Sequence, residues 1–123
     1  MNNYTGIIIE ESLRQSDVLN KLKIISTEIE EVTRSHNTPW VSVWTIHTIE
    51  ILEKDAEIVA NEISKSIDEK HSSSWYVEFK NNRNQYVIFY DKIFCINKNN
   101  EKEKLEAINY GLSIGIPEQQ LDF

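Results

Sequence analysis

The side chains here that could do chemistry are three histidines, one cysteine and a crowd of carboxylates. His36, His47 and His71 share no spacing of the His-x-x-x-His kind, so they imply no metal. His47 matters most, because an imidazole beside a carboxylate can act as a general base. It falls among Val43, Ile49 and Ile51 on one face of a strand-like run. That setting reads first as a core histidine satisfied by Thr45 or a carboxylate. His71 is expected to stabilise a helix C-terminus. Cys95, between Phe94 and Ile96, reads as a buried and inert thiol, since reactive cysteines need an accessible electropositive setting. Carboxylates at Glu10, Glu11, Glu28, Glu30, Glu31, Glu50, Glu53 and Asp55 would form a catalytic pair only if two were held close in unlike environments. With only three glycines there is no phosphate-cradling loop, and no Gly-x-Ser-x-Gly or His-Glu-x-x-His occurs. No cofactor is implied.

The aromatic residues are the more distinctive resource. Trp40, Trp44, Trp75, Tyr76, Phe79, Tyr86, Phe89 and Tyr90 lie on or beside strand-like runs. Aromatics on an open sheet stack bases in RNA-recognition modules, but the formal net charge of -7 opposes a phosphate backbone. Core packing or a protein interface is the better use. The candidate binding residues are Trp40, Trp44, His47, Trp75, Tyr76 and Tyr90.

The 123 residues suit one domain, spanning residues 1–123, and 40% hydrophobic with 27% charged residues is a globular composition. A lone cysteine forms no internal disulfide. The start carries no basic signal region and residues 7–9 are too short to span a membrane. The expected chain is acidic, soluble and cytoplasmic, with no nucleic-acid or membrane partner.

The elements that must position these residues follow from periodicity. Residues 39–52 alternate with apolar residues on both faces, which predicts a central strand covered on both sides. Residues 5–12 and 22–33 read as strands, the second with an acidic edge at Glu28, Glu30 and Glu31. Gly6 opens the first. Asp55 caps a helix running to about Lys70, with Val59, Ala60, Ile63 and Ile67 inward. His71 and residues 72–74 form its exit. Residues 75–80 and 85–90 pair about a polar turn. Asp91 and Lys92 interrupt before a strand over 93–97. Asn100 and Glu103 open a last helix with Leu105, Ile108 and Leu112 inward and Gly111 closing it in the left-handed conformation. Residues 120–123 are expected to form a short final strand.

The resulting class is α+β, a mostly antiparallel sheet with two helices. From Trp40 onward the order β-α-β-β-α is ferredoxin-like, with extra N-terminal strands and both helices on one face. Val41, Val43, His47 and Ile49 would lie beneath those helices. At Thr38-Pro-Trp40, Trp44-Thr-Ile-His-Thr48, Trp75-Tyr-Val-Glu-Phe-Lys-Asn81 and Tyr110-Gly-Leu-Ser-Ile-Gly-Ile-Pro-Glu118 the chain resembles a family of small bacterial proteins without assigned activity. The resemblance implies no catalytic residue.

These observations favour a non-enzymatic binding or protein-interaction domain, homodimeric through an aromatic sheet surface that includes Trp44, with Trp40 at its margin. A protein partner or a small molecule fits the same surface. The alternatives are a small enzyme using His47 with a nearby carboxylate, or a phage or mobile-element protein that inhibits a host factor.

Overall fold

The structure, a computed structural model, describes residues 2–71 and 75–123; the exit segment expected over 72–74 lies outside them. Six strands and two main helices follow in the order β1 (Tyr4–Ile9), β2 (Lys23–Glu31), β3 (Val43–Ile51), α1 (Ala56–Ser66), β4 (Val77–Lys80), β5 (Asn84–Phe89), β6 (Lys92–Asn97) and α2 (Glu101–Ser113). The protein is α+β. Every strand pairing is antiparallel, and the spatial order is β2-β3-β1-β4-β5-β6.

This order departs from the ferredoxin-like expectation for a definite reason. The β3-α1-β4 crossover leaves one slot between β3 and β4, and β1 fills it, pairing with both. The N-terminal strand is therefore the middle of the sheet, not an addition to it. With that slot taken, β5 and β6 must extend the sheet outward. Asp91, at φ 55, makes the tight turn between them. The helices then take opposite faces. Alternation puts Tyr4, Ile8, Ile49, Ile51, Val77, Phe79 and Ile88 on one face, where they pack with Val59, Ala60, Ile63 and Ile67 from and just after α1. Val87, Phe89 and Ile96 face the other way and pack with Ala107 of α2.

The run over 39–52 supplies β3, one place in from the sheet edge rather than at its centre. It starts at Val43, leaving Pro39 and Trp40 in a turn and Val41 before the strand. His47, Ile49 and Ile51 are its buried residues, so the buried stretch begins later than expected. β2 lies at the sheet edge, exposed along its whole length and bulged between Ile24 and Ser26.

The inward stripe of α1 is as periodicity predicts, but the helix stops at Ser66 and the Asp55 side chain caps nothing. Ile67 leaves in extended form to bridge Leu13, with Arg14 N donating to Ser66 O (2.7 Å) and Asp68 N to Ser12 O (2.8 Å). In this extended form Ile67 is fully buried. Ile63 is fully buried, and Ile63→Ala should cost about 2–4 kcal/mol as a cavity. A urea melt showing almost no loss would mean that α1 is not packed on the sheet.

On α2 the stripe is shifted. Leu105 (56% exposed) and Leu112 (42%) face solvent, and Ala107 and Gly111 are the buried pair. Small residues let the helix settle close to the chain: a Cβ on Gly111 would stand 2.7 Å from Leu121 Cδ2. Gly111 is therefore a packing residue, and Gly115 (φ 104) makes the left-handed exit instead. Asn100 does cap the helix, accepting from Glu103 N at 3.1 Å. Residues 120–123 form no strand. A 3-10 turn over Glu118–Gln120 drops Leu121 onto α2. Cys95 is exposed, not buried, because edge strand β6 turns Ile96 inward to α2 and Cys95 the other way.

Candidate functional site

α2 and the C-terminal segment cover only the β5-β6 half of their face. Over the other half the face is open, and a groove of about 320 Å³ runs along the boundary. Its floor is Ile7 and Ile9 of β1. Trp44, Trp75 and Tyr76 border it, and Glu78, Gln119, Gln120 and Asp122 complete the lining. The strand register explains how the sequence assembles it. Ile7 pairs with Thr48 and Glu78, Ile9 with Ile46, so Ile7, Ile9, Ile46 and Glu78 share one face. β1 ends at Ile9, and the space beyond it is where Trp44 and Trp75 meet, with ring centroids 5.6 Å apart.

The rim is fixed by hydrogen bonds. Trp44 Nε1 donates to Thr38 Oγ1 at 2.9 Å, and its ring takes the edge of His36. His36 is held by Thr33 N donating to its Nδ1 (2.9 Å) and by its Nε2 donating to Glu30 Oε1 (2.6 Å). Gln120 ties the C-terminal segment to this loop, Nε2 donating to His36 O at 2.9 Å, while the Tyr76 hydroxyl donates to Gln120 O. Trp75 is 1% exposed, and its Nε1 has no hydrogen-bond partner among the described residues.

Burial, and then the negative charges of Asp122 and Glu78, push the Tyr76 phenol well above its usual range. Unfolding would restore the ordinary value, so this contribution to stability is complete below about pH 10 and is lost as pH rises further. Urea melts at increasing alkaline pH should show that decline. Tyr76→Phe should make it shallower; an unchanged slope would mean the phenol is not shielded.

Of the six candidate binding residues, Trp44, Trp75 and Tyr76 come together at the groove. Trp40 stacks on His71 at 3.9 Å and meets Trp75 edge-on, behind the rim. His71 pairs with Asp68 (2.7 Å) five residues beyond the end of α1, so it does not serve that helix terminus. Tyr90 lies on the α1 side, its hydroxyl donating to Glu69 Oε2 at 2.8 Å. His47 also belongs to that side. It is a core histidine, bonded through Nδ1 to Thr27 Oγ1 (2.8 Å) and through Nε2 to Glu10 Oε1 (2.9 Å). Of the two partners expected, Thr45 or a carboxylate, the carboxylate is the one found; Thr45 gives its N–H and hydroxyl to Glu11.

Sequence reading missed Ile7, Glu78 and Asp122. Glu78 alternates with Val77 and Phe79, so its outward face was visible; nothing local linked it to residues 119–122. A broader hollow of about 640 Å³ beneath the loop is lined by Val32, Arg34, Asn37, Pro39, Val41 and their neighbours, with no aromatic or carboxylate among the described residues. Of these two hollows, the first joins apolar floor, aromatic walls and convergent polar groups.

Fold and groove together define an α+β domain with an open sheet face and an aromatic, acidic groove. Comparison with protein-family models, with curated proteins and with solved structures gives no match. No helix among the described residues is long and apolar enough to cross a membrane.

Proposed function

We propose that the chain is a non-enzymatic binding domain that takes a segment of a protein partner on the uncovered half of its sheet. The supporting observation is the one-sided cover. Ile7, at the sheet centre, stays 49% exposed on the floor of the groove, beside half-buried Ile9, Ile46 and Trp44. Contiguous apolar surface in a concavity with placed polar groups is the usual form of a binding site. Panning a random peptide library against the wild type and Ile7→Glu tests the reading. Peptides should be enriched that lose Ile7→Glu but keep Ile58→Glu, on the exposed face of α1. Enrichment indifferent to Ile7 would sink it. A phage or mobile-element protein that blocks a host factor would be one form of this reading.

A homodimer packed through this face, with Trp44 at the interface, is the competing arrangement. Charge disfavours it: on the uncovered strands β2, β3, β1 and β4, Glu28, Glu30, Glu50 and Glu78 outnumber Lys23 and Lys80, so two copies would oppose like charges. Trp44, the residue expected at that interface, already packs on His36 and Trp75. The free edge of β2 is blunted by its bulge and glutamates. Light scattering at micromolar concentration should give the 14.4 kDa chain mass. Twice that mass, lost in Ile7→Glu, would restore the dimer.

The enzyme reading has one observation in its favour, the Glu10 carboxylate on His47 with Thr27 on the other ring nitrogen. Against it, His47 is buried and the grooves described above are lined by other residues. A metabolite thermal-shift screen, with His47→Gln as control, would decide. Nucleic acid is a poorer partner still, given the charge and the placement of Tyr76 and Tyr86 on opposite faces. Fluorescence anisotropy at physiological salt should detect no single-stranded RNA or DNA binding; micromolar affinity with a steep salt slope would reverse this.

A further inference from the structure

We propose that the groove holds an arginine side chain of the partner segment, its guanidinium set against the Trp44 and Tyr76 rings and neutralised by Glu78 and Asp122. This rests on the binding-surface reading above and adds the chemistry of the occupant. Two carboxylates converge on the groove, and no basic side chain lines it among the described residues. Tyr76 lines the groove with both of them, and its phenol, raised first by its own burial, is raised further by each carboxylate. Glu78 is oriented by Gln85, whose Nε2 donates to Oε2 at 3.0 Å; the other oxygen has no partner among the described residues. An aromatic face attracts a cation through its quadrupole, most strongly where water is excluded. Arginine suits the site better than lysine, because its guanidinium is planar, weakly hydrated and able both to stack on a ring and to meet a carboxylate with paired donors. The acidic face around the groove, and the net charge of -7, would draw a basic segment towards it.

The test titrates the intact protein with acetyl-Gly-Arg-Gly-amide and with the same peptide carrying citrulline, which keeps the shape and removes the charge. The Trp44 indole N–H resonance reports the groove. The arginine peptide should give a saturable shift that weakens with salt. The citrulline peptide should bind at least about tenfold more weakly, a difference of ~1.4 kcal/mol. Glu78→Gln combined with Asp122→Asn should cause a similar loss, while Glu106→Gln, exposed on α2, should not. Equal binding of the two peptides, unchanged binding to the double variant, or no shift at all would overturn the proposal. Failure of the broader reading looks different. Ile7-dependent library peptides without arginine would leave the surface standing and remove this occupant; no Ile7-dependent peptide would remove the surface itself.

Discussion

Gly6→Ala should lose about 4 kcal/mol or more of folding stability, the largest effect expected of any single methyl group in this chain. Gly6 sits in the middle of β1, facing Ile49 of β3 on one side and Phe79 of β4 on the other. A Cβ there would lie 2.1 Å from the Glu78 carbonyl oxygen and 2.6 Å from both Cα and Cβ of Phe79. These are backbone and backbone-proximal atoms, so no rotamer change relieves the overlap. β1 and β4 would have to separate at the centre of the sheet, where Ile8 and Phe79 are fully buried. A domain with only 5–15 kcal/mol in hand would lose much of its folded population. Urea melts would measure the loss, with Thr5→Ala, an exposed neighbour in the same strand, as the near-neutral control. A loss below about 1 kcal/mol, typical of an ordinary substitution, would show that the two strands do not approach so closely.

That glycine marks the limit of what local pattern could tell. Its place in an apolar run was visible, and an isolated glycine in a strand often signals close backbone approach. Which strand approaches it depends on a partner more than seventy residues away. The same division holds through the fold. α1 was legible because Val59, Ala60 and Ile63 repeat at helical spacing and all are buried. The β4-β5-β6 meander was legible because its turns are short and polar. The insertion of β1 between β3 and β4 was not, since a two-residue period says that a strand has two faces but not which strands flank it. On α2 the expected stripe holds at Ile108, which packs on the core, but size does not predict inwardness at its two leucines. Ala107 and Gly111 go in because they are small, and Leu105 and Leu112 are left out. At the groove, Trp44, Trp75 and Tyr76 stand out in the sequence as aromatics on or beside strand-like runs. Ile7, Glu78 and Asp122 join them only through long-range register and the return of the C-terminal segment. The setting of His47 among aliphatic residues points to a core histidine held by Thr45 or a carboxylate; which of the two is not local information, since Glu10 reaches it only after β1 has turned off the sheet.

The aromatic wall yields the other large effect. Trp75 is 1% exposed and joins the two halves of the rim, meeting Trp44 at 5.6 Å and Trp40 at 6.3 Å. Trp75→Ala should cost about 3–5 kcal/mol, since the cavity lies among rings already fixed by other bonds. Trp44 keeps its bond to Thr38 and its contact with His36, so collapse around the missing indole would be incomplete. Trp75→Phe separates packing from polarity. The indole Nε1 is buried with no partner among the described residues, and an unmade hydrogen bond of that kind costs about 1–3 kcal/mol. Phenylalanine removes that penalty while filling much of the space, so its net cost should be well under half that of alanine. The emission of the two remaining indoles, of which Trp44 lines the groove, should shift towards solvent in the alanine variant and little in the phenylalanine one. Equal losses in the two urea melts would mean that the Trp75 N–H is satisfied after all, and that the wall is held by that bond rather than by packing.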